Sequence, residues 1–171
     1  MMKKIFWLLV SVALFLTGCG NKSSQADDVL TGLYDDYCKA EEILFHADLD
    51  MEQKLLEDDI YTFYALSPEY ECETVSQLEE LLEKVYTKEK VKQLLETYVG
   101  DEGQIFKEID GKLGRMPADA PGTYFELPAE ETEKVNEKEI KVKTKVEDDT
   151  VYSVEIRLQK EDTGWRISEI F

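Results

Sequence analysis

The feature that most constrains the fold is a strict alternation of apolar and polar side chains near the carboxyl end of the chain, in two runs at 140–146 and 152–159. A period of two residues predicts strands with one buried and one solvated face. Val146 and Tyr152 can share a face only across an odd-numbered loop, which predicts an antiparallel pair joined by a three-residue loop at 148–150. The inward positions are Ile140, Val142, Thr144 and Val146 in the first run and Tyr152, Val154, Ile156 and Leu158 in the second.

A third strand is expected after a short turn, with Leu158 opposite Trp165. Continued without interruption, that register would bury the carboxylate of Glu169 on the apolar face. An unpaired buried charge is costly. The pattern therefore predicts a β-bulge near Ser168 that turns Ile170 inward.

The first half of the chain has helical periodicity. Asp27 or Asp28 is expected to cap a first helix, and Thr74 with Gln77 has the spacing of a capping box for a second. A third short helix is expected to begin at Thr87. In the first helix the apolar positions are Leu30, Leu33, Tyr34, Tyr37, Leu44 and Phe45, and the opposite, polar face carries Asp35, Asp36, Glu41 and Glu42.

The middle of the chain is less regular. Residues 51–56 have the spacing of a helical turn or two, whereas 60–64 are rich in β-branched and aromatic residues and predict a strand. The Asp-Gly dipeptide at 110–111 predicts a β-hairpin. An aromatic strand is expected at 123–127, and 130–137 fits either a strand or an exposed loop.

The amino-terminal end predicts export. Two lysines precede a short apolar run that is too brief for the ~20 residues of a membrane span, and Leu-Thr-Gly-Cys follows at 16–19. This order resembles a bacterial lipoprotein precursor, with cleavage between Gly18 and Cys19 and lipidation of Cys19. Diacylation would anchor the protein stably on the extracytoplasmic face of the cell membrane.

Helices first and a meander last predict an α+β fold, with N-terminal helices packed on a curved antiparallel sheet. A chain of 171 residues usually forms one domain. The expected organisation is a signal peptide at 1–18, a flexible lipidated tether at 19–27 and a single domain at 28–171.

Charge and cysteine content limit the possible partners. A formal net charge of −18 argues against nucleic-acid binding and favours basic partners. Export permits a disulfide between Cys38 and Cys72, and the alternative is two buried thiols. We expect a monomer.

No motif in the chain identifies a catalytic centre. The only histidine, His46, fits a surface position at a helix end better than a catalytic role, and its spacing from the cysteines does not suit a zinc site. No Gly-rich phosphate loop or calcium loop is present. We therefore expect no catalytic residue, metal or cofactor. Glu169 would be the one candidate for an enzyme.

From residue 74 onward the chain resembles the IseA-type DL-endopeptidase inhibitor family of Gram-positive bacteria. The resemblance depends on the segment Phe-Lys-Glu-Ile-Asp-Gly-Lys-Leu at 106–113, the Ala-Asp at 118–119 and the closing Gly-Trp-Arg-Ile at 164–167. It implies a non-enzymatic protein that binds and restrains a cell-wall hydrolase acting on peptidoglycan. A looser resemblance links the closing strand to cystatin-like, nuclear-transport-factor-like domains.

Two functions follow as hypotheses. In the first, the protein is a lipid-anchored inhibitor or regulator of a peptidoglycan DL-endopeptidase, with partner contacts at Arg115, Asp119 and Tyr124 around the Pro-rich segment 117–122. In the second, a cone between sheet and helix holds a small ligand or peptide. The aromatic residues that motivate the second hypothesis are Tyr34, Tyr37, Tyr61, Phe63, Tyr64 and Tyr124.

Overall fold

The computed structural model of the chain describes residues 25–57, 61–100, 104–118, 122–146 and 153–171. These residues form three α-helices and two four-stranded antiparallel sheets, which confirms the α+β class. The helices are α1 (Gln25–Glu41), α2 (Val75–Val85) and α3 (Lys88–Tyr98). The strands are β1 (Leu49–Glu57), β2 (Thr62–Leu66), β3 (Phe106–Ile109), β4 (Lys112–Arg115), β5 (Glu131–Asn136), β6 (Glu139–Lys145), β7 (Ser153–Glu161) and β8 (Gly164–Ile170).

The predicted single curved sheet is divided into two. The first sheet has the strand order β1-β2-β4-β3, and the second is a meander in the order β5-β6-β7-β8. Side chains from α1, α2 and both sheets share one continuous hydrophobic core. In that core the Tyr37 ring from α1 lies 6.3 Å from the ring of Tyr86 and 4.6 Å from that of Phe125.

The predicted alternation of the carboxyl-terminal strands is confirmed. Val142 pairs with Ile156 and Ile140 with Leu158, and all four side chains are buried. The predicted three-residue loop at 148–150 lies outside the described residues.

The predicted register of β8 is wrong by two residues, although every side chain keeps its predicted face. Leu158 pairs with Ile167 and Lys160 with Trp165, because the two-residue turn lies at 162–163, one residue later than the predicted 161–162. Ser168 is the extra residue of a β-bulge and lies between two paired positions.

The bulge has the predicted effect on the end of β8. Ile156 pairs with Ile170, which packs against the core. Glu169 pairs with Arg157 and is exposed to solvent. The bulge therefore avoids a buried carboxylate, as the sequence predicted.

Local signals explain the two later helices and the hairpin. Thr74 accepts a hydrogen bond from the Gln77 backbone N–H at 3.2 Å, and the Gln77 side chain accepts from the Thr74 N–H at 3.0 Å, so the capping box is confirmed. Asp110 and Gly111 have φ values of 50° and 78°, the positive values that a two-residue type I′ hairpin needs.

The first helix begins earlier than predicted. It starts at Gln25 and includes Ala26 and Asp27, which the sequence assigned to the tether. Asp27 and Asp28, one of which was expected to cap the helix, both lie within its first turn, and the Asp27 carboxylate accepts the Ala129 backbone N–H at 3.0 Å. The helix continues through a π-helical turn, Glu42–His46. No helix among the described residues is long and apolar enough to cross a membrane.

Three predictions in the middle of the chain need correction or completion. Residues 51–56 are not helical, because β1 pairs along β2. Residues 123–127 form no regular strand and make a single β-bridge from Phe125 to Val146. Residues 131–136 form the fully exposed strand β5, the first of the two alternatives for that segment.

Cys38 and Cys72 are thiols in the structure, so the possible disulfide is not formed. Cys72 is buried against the hydrophobic core, and Cys38 packs beside that core. Burial raises the pKa of the Cys72 thiol to about 11. The thiol is therefore protonated at neutral pH and behaves as a small apolar side chain.

Candidate partner-binding loop

The chain leaves the first sheet at the end of β4 and returns to the second sheet at Phe125. The structure describes two segments of this connection, residues 116–118 and residues 122–124, which we call the first and second loop ends. Each loop end is held by buried side chains from other elements. The charged side chain at the first end is a hydrogen-bond donor, whereas the carboxylate and the imidazole at the second end are acceptors.

Arg115 holds the first loop end from inside the protein. Its side chain is 2% exposed and lies over the Phe106 ring, with the guanidinium carbon 5.8 Å from the ring centre. Nη2 donates to the Ala118 carbonyl at 2.7 Å, and Nη1 donates at 3.4 and 3.5 Å to the carbonyls of Ala47 and Met116. The prediction that Arg115 is an exposed contact residue is wrong, because the side chain is buried and both Nη atoms donate to backbone oxygens.

Glu41 holds the second loop end. Its carboxylate accepts the Thr123 backbone N–H at 2.9 Å through Oε2 and the Tyr86 hydroxyl at 2.8 Å through Oε1. Tyr37, one helical turn earlier, donates its hydroxyl to the Thr123 carbonyl. The expectation that Glu41 lies on a solvated helix face is wrong: the side chain is 5% exposed because the second loop end packs over it.

The electrostatics of this end follow from burial. Desolvation raises the pKa of Glu41, while the hydrogen bonds from the Thr123 amide and Tyr86 and the charges of His46 and Lys90 act in the opposite direction. Desolvation and the Glu41 charge also raise the pKa of Tyr86. Its hydroxyl therefore stays protonated and remains a donor to Glu41 at neutral pH.

His46 supports the second loop end from the solvent side. The imidazole is exposed at the end of the π-helical turn, which confirms the predicted surface position at a helix end. Its Nε2 accepts the Gly122 backbone N–H at 3.1 Å, and its ring stacks on that of the half-buried Tyr124, with 6.2 Å between centres and 25° between planes. A Cβ at residue 122 would lie 3.1 Å from Nε2, so glycine permits this close approach.

The remaining predicted site residues are distributed as follows. Tyr124 lies at the second loop end and is accessible, whereas Asp119, Gly18 and Cys19 lie outside the described residues. Glu41, Tyr86 and His46 were missed as a set. No local motif joins them, since the chain brings them together only by folding.

Glu169, the one candidate for catalysis, forms a surface ion pair. Its Oε2 lies 2.7 Å from Nη1 of Arg157. Glu139 and Glu155 lie 3.9 and 3.7 Å from the same guanidinium. Within the described residues, no group of histidine, cysteine or acidic side chains is arranged to hold a metal ion.

Among the aromatic residues that suggested a ligand-binding cone, Tyr37 and Phe63 are buried and Tyr34 packs against the core, whereas the other three are half-buried. A cleft beside Glu41, lined in part by Tyr37, Tyr86 and Tyr98, has a volume of about 170 Å³. Small-molecule sites usually have volumes from about 300 Å³. The cleft is therefore small for the ligand that the second hypothesis requires.

The fold and the two loop ends define a class: an α+β domain in which the segments before and after residues 119–121 are each held by buried polar side chains. The chain belongs to the IseA DL-endopeptidase inhibitor family, whose model matches residues 34–170. The match covers α1 from Tyr34 onward, both sheets and both loop ends, and it confirms the family suggested by the sequence. A search of the curated proteins finds no matching relative.

Proposed function

We propose that the protein inhibits a peptidoglycan DL-endopeptidase by binding it through the second loop end. The family match over residues 34–170 carries this proposal. The inhibition is non-catalytic. It requires a surface that the target recognises and that keeps its shape on binding.

The second loop end meets that requirement. Glu41 and Tyr37 fix both backbone groups of Thr123, and His46 fixes the N–H of Gly122. Tyr124, stacked on His46, is a half-buried aromatic side chain of this surface. A loop held in one conformation before binding loses little conformational entropy when the complex forms, which increases affinity. Asp119 stays a predicted contact.

The amino-terminal half of the folded chain carries an excess of negative charge that favours a basic target. Residues 25–86 contain eighteen acidic residues and only three basic ones, Lys39, Lys54 and Lys84. Such an asymmetry accelerates association with a basic surface and is weakened by salt. Inhibition should therefore become slower in onset as ionic strength increases.

The proposal places the domain on the outer face of the cell membrane, attached through a lipid on Cys19. The Leu-Thr-Gly-Cys segment at 16–19 after a short apolar run supports this location. Labelling of the protein by a fatty-acid analogue in the producing cell, lost in Cys19→Ala, would support the anchor. Labelling that persists in the variant would contradict it.

Inhibition is tested with purified protein and purified DL-endopeptidases on stem-peptide substrates. We expect wild-type protein to lower the cleavage rate stoichiometrically, and Tyr124→Ala to weaken the inhibition about tenfold or more, as for a buried aromatic contact. Val135→Ala is the matched control, since Val135 is exposed on the distant edge strand β5. Undiminished cleavage at inhibitor excess and low salt, across the endopeptidases of the producing cell, would refute the function.

A further inference from the structure

We propose that His46 is a positioning residue for partner binding, which holds the second loop end through a neutral Nε2 and releases it when the imidazole is protonated, so that inhibition weakens on acidification. This inference rests on the proposed function. It concerns how the binding surface is maintained, and His46 itself need not touch the partner.

The geometry identifies the acceptor. The Gly122 N–H donates to Nε2 at 3.1 Å, which places the proton of the neutral imidazole on Nδ1. Tyr124 stacks on the same ring, so the imidazole contacts both a backbone group and the half-buried aromatic side chain of the binding surface. Displacing the ring would therefore move Gly122 and Tyr124 together.

The chemistry makes this contact conditional on pH. The Nε2 of a neutral imidazole has one lone pair, and in the protonated form both ring nitrogens are donors. A protonated His46 would place an N–H against the Gly122 N–H, and the two donors would repel each other. Imidazoles ordinarily titrate between about pH 5 and 8.

Glu41 responds to protonation differently. Its two oxygens accept separate hydrogen bonds from Thr123 and Tyr86. A proton on Oε1 can be donated to the Tyr86 oxygen once that hydroxyl rotates, while Oε2 continues to accept from Thr123. The carboxyl group therefore holds Thr123 in both states, and the sensitivity to pH is concentrated at His46.

The described charged and titratable groups near His46 come from several elements. Glu41 from α1 interacts electrostatically with His46, and Tyr124 faces the ring from the second loop end. Glu42 lies four residues earlier in the same π-helical turn, and Lys90 from α3 interacts electrostatically with Glu41. Glu41 and Glu42, as acids, attract an imidazolium and do not prevent its formation.

The experiment compares wild type, His46→Gln and His46→Ala against one DL-endopeptidase at pH 7.5 and pH 5.5. Glutamine offers an amide oxygen near the position of Nε2 but does not titrate, and alanine offers no acceptor. The titration of the hydrolase is common to all three proteins, so it cancels in the ratio of their inhibition constants. We expect the ratio of wild type to His46→Gln to increase about three- to tenfold on acidification, the value of one hydrogen bond. The ratio of His46→Ala to His46→Gln should stay constant.

A second readout needs no partner. In the free protein, the Gly122 amide resonance should titrate with pH in wild type and should stay fixed in His46→Gln. An unchanged wild-type to His46→Gln ratio overturns the inference, whether or not the amide titrates. If no endopeptidase is inhibited at either pH, the proposed function fails and the binding role of His46 fails with it. A titrating amide in that case shows that the pH-dependent contact exists and that the error lies in the partner.

Discussion

The two loop ends are held by opposite kinds of polar group. At the first loop end, Arg115 supplies donors to backbone carbonyls, and a guanidinium keeps its charge at every pH at which the protein folds. At the second loop end, Glu41 and His46 supply acceptors to backbone N–H groups, and both side chains can bind a proton. The comparison teaches that one end is fixed permanently, whereas the other can respond to the medium.

The largest loss of stability is expected from removing the Arg115 guanidinium, which holds the first loop end. Arg115→Met should lower the free energy of unfolding by about 3 kcal/mol, because it leaves buried carbonyls without their charged donor. The loss should be equal at pH 5.5 and pH 7.5 in urea unfolding. Arg157→Met is the matched control, since its ion pairs are partly exposed and should contribute less than about 1 kcal/mol. A loss that varied with pH would show that the first loop end also titrates.

A smaller effect is expected at the buried donor of the second loop end. Tyr86→Phe removes the hydroxyl that donates to Glu41 and should lower the free energy of unfolding by about 1 to 2 kcal/mol at pH 7.5. The loss should diminish in acid, because the hydrogen bond between the protonated carboxyl group and the Tyr86 oxygen is weaker than the one that the carboxylate accepts. Tyr98→Phe removes a hydroxyl from a half-buried ring in the same cleft and serves as the control. Equal losses in the two variants would show that the Tyr86 hydroxyl does not support the second loop end.

The raised pKa of Glu41 predicts the direction in which folding stability changes with pH. Its pKa is raised above the ordinary 4.5, so the folded protein binds the proton more tightly than the unfolded chain. The stability contributed by Glu41 is therefore greatest below pH 4.5 and falls as pH rises through the raised value.

The direction of this pH dependence can be measured with the neutral variant Glu41→Gln. The unfolding free energy of wild type minus that of Glu41→Gln should fall with rising pH across that window and then level off. Glu79→Gln, exposed on α2, is the control and should give no such slope. A difference that increased with pH would mean that the hydrogen bonds from Thr123 and Tyr86 outweigh burial.

The smallest effect on stability is expected at Gly122. A methyl group there would lie 3.1 Å from Nε2 of His46 and 3.3 Å from the Tyr124 ring, so the imidazole must shift by a few tenths of an ångström. Gly122→Ala should change the free energy of unfolding by less than about 0.5 kcal/mol, as for most surface positions. Inhibition at pH 7.5 should nevertheless weaken to the level of His46→Ala. Full inhibition by Gly122→Ala would show that the binding surface tolerates displacement of the ring.

The parts of the fold that the sequence predicted well depend on neighbouring residues. The capping box at Thr74, the hairpin at Asp110-Gly111 and the bulge at Ser168 follow from patterns within a few positions. The family could also be recognised, because two of the segments that carry the resemblance, 106–113 and 164–167, lie in such regular elements. Local chemistry therefore accounts for most of the second sheet and for α2.

The candidate site could not be predicted in the same way. Glu41, Tyr86 and Thr123 meet only after α1, the end of α2 and the second loop end have packed together. Glu41 belongs to an acidic helix in which nothing local separates it from Glu42, yet one carboxylate is buried and the other is exposed. Likewise, β1 has helical spacing and becomes a strand because β2 lies beside it.

The early start of α1 limits how far the domain can act. Because Gln25 is already helical and Ala26 is fully buried, only five residues separate Cys19 from the folded unit. Six backbone steps span at most about 20 Å. If Cys19 carries the lipid, the inhibitor can reach only hydrolases working within a shell one protein diameter deep above the membrane. Enzymes in the outer layers of the wall would then remain uninhibited, and cleavage would be restrained where new wall material is inserted.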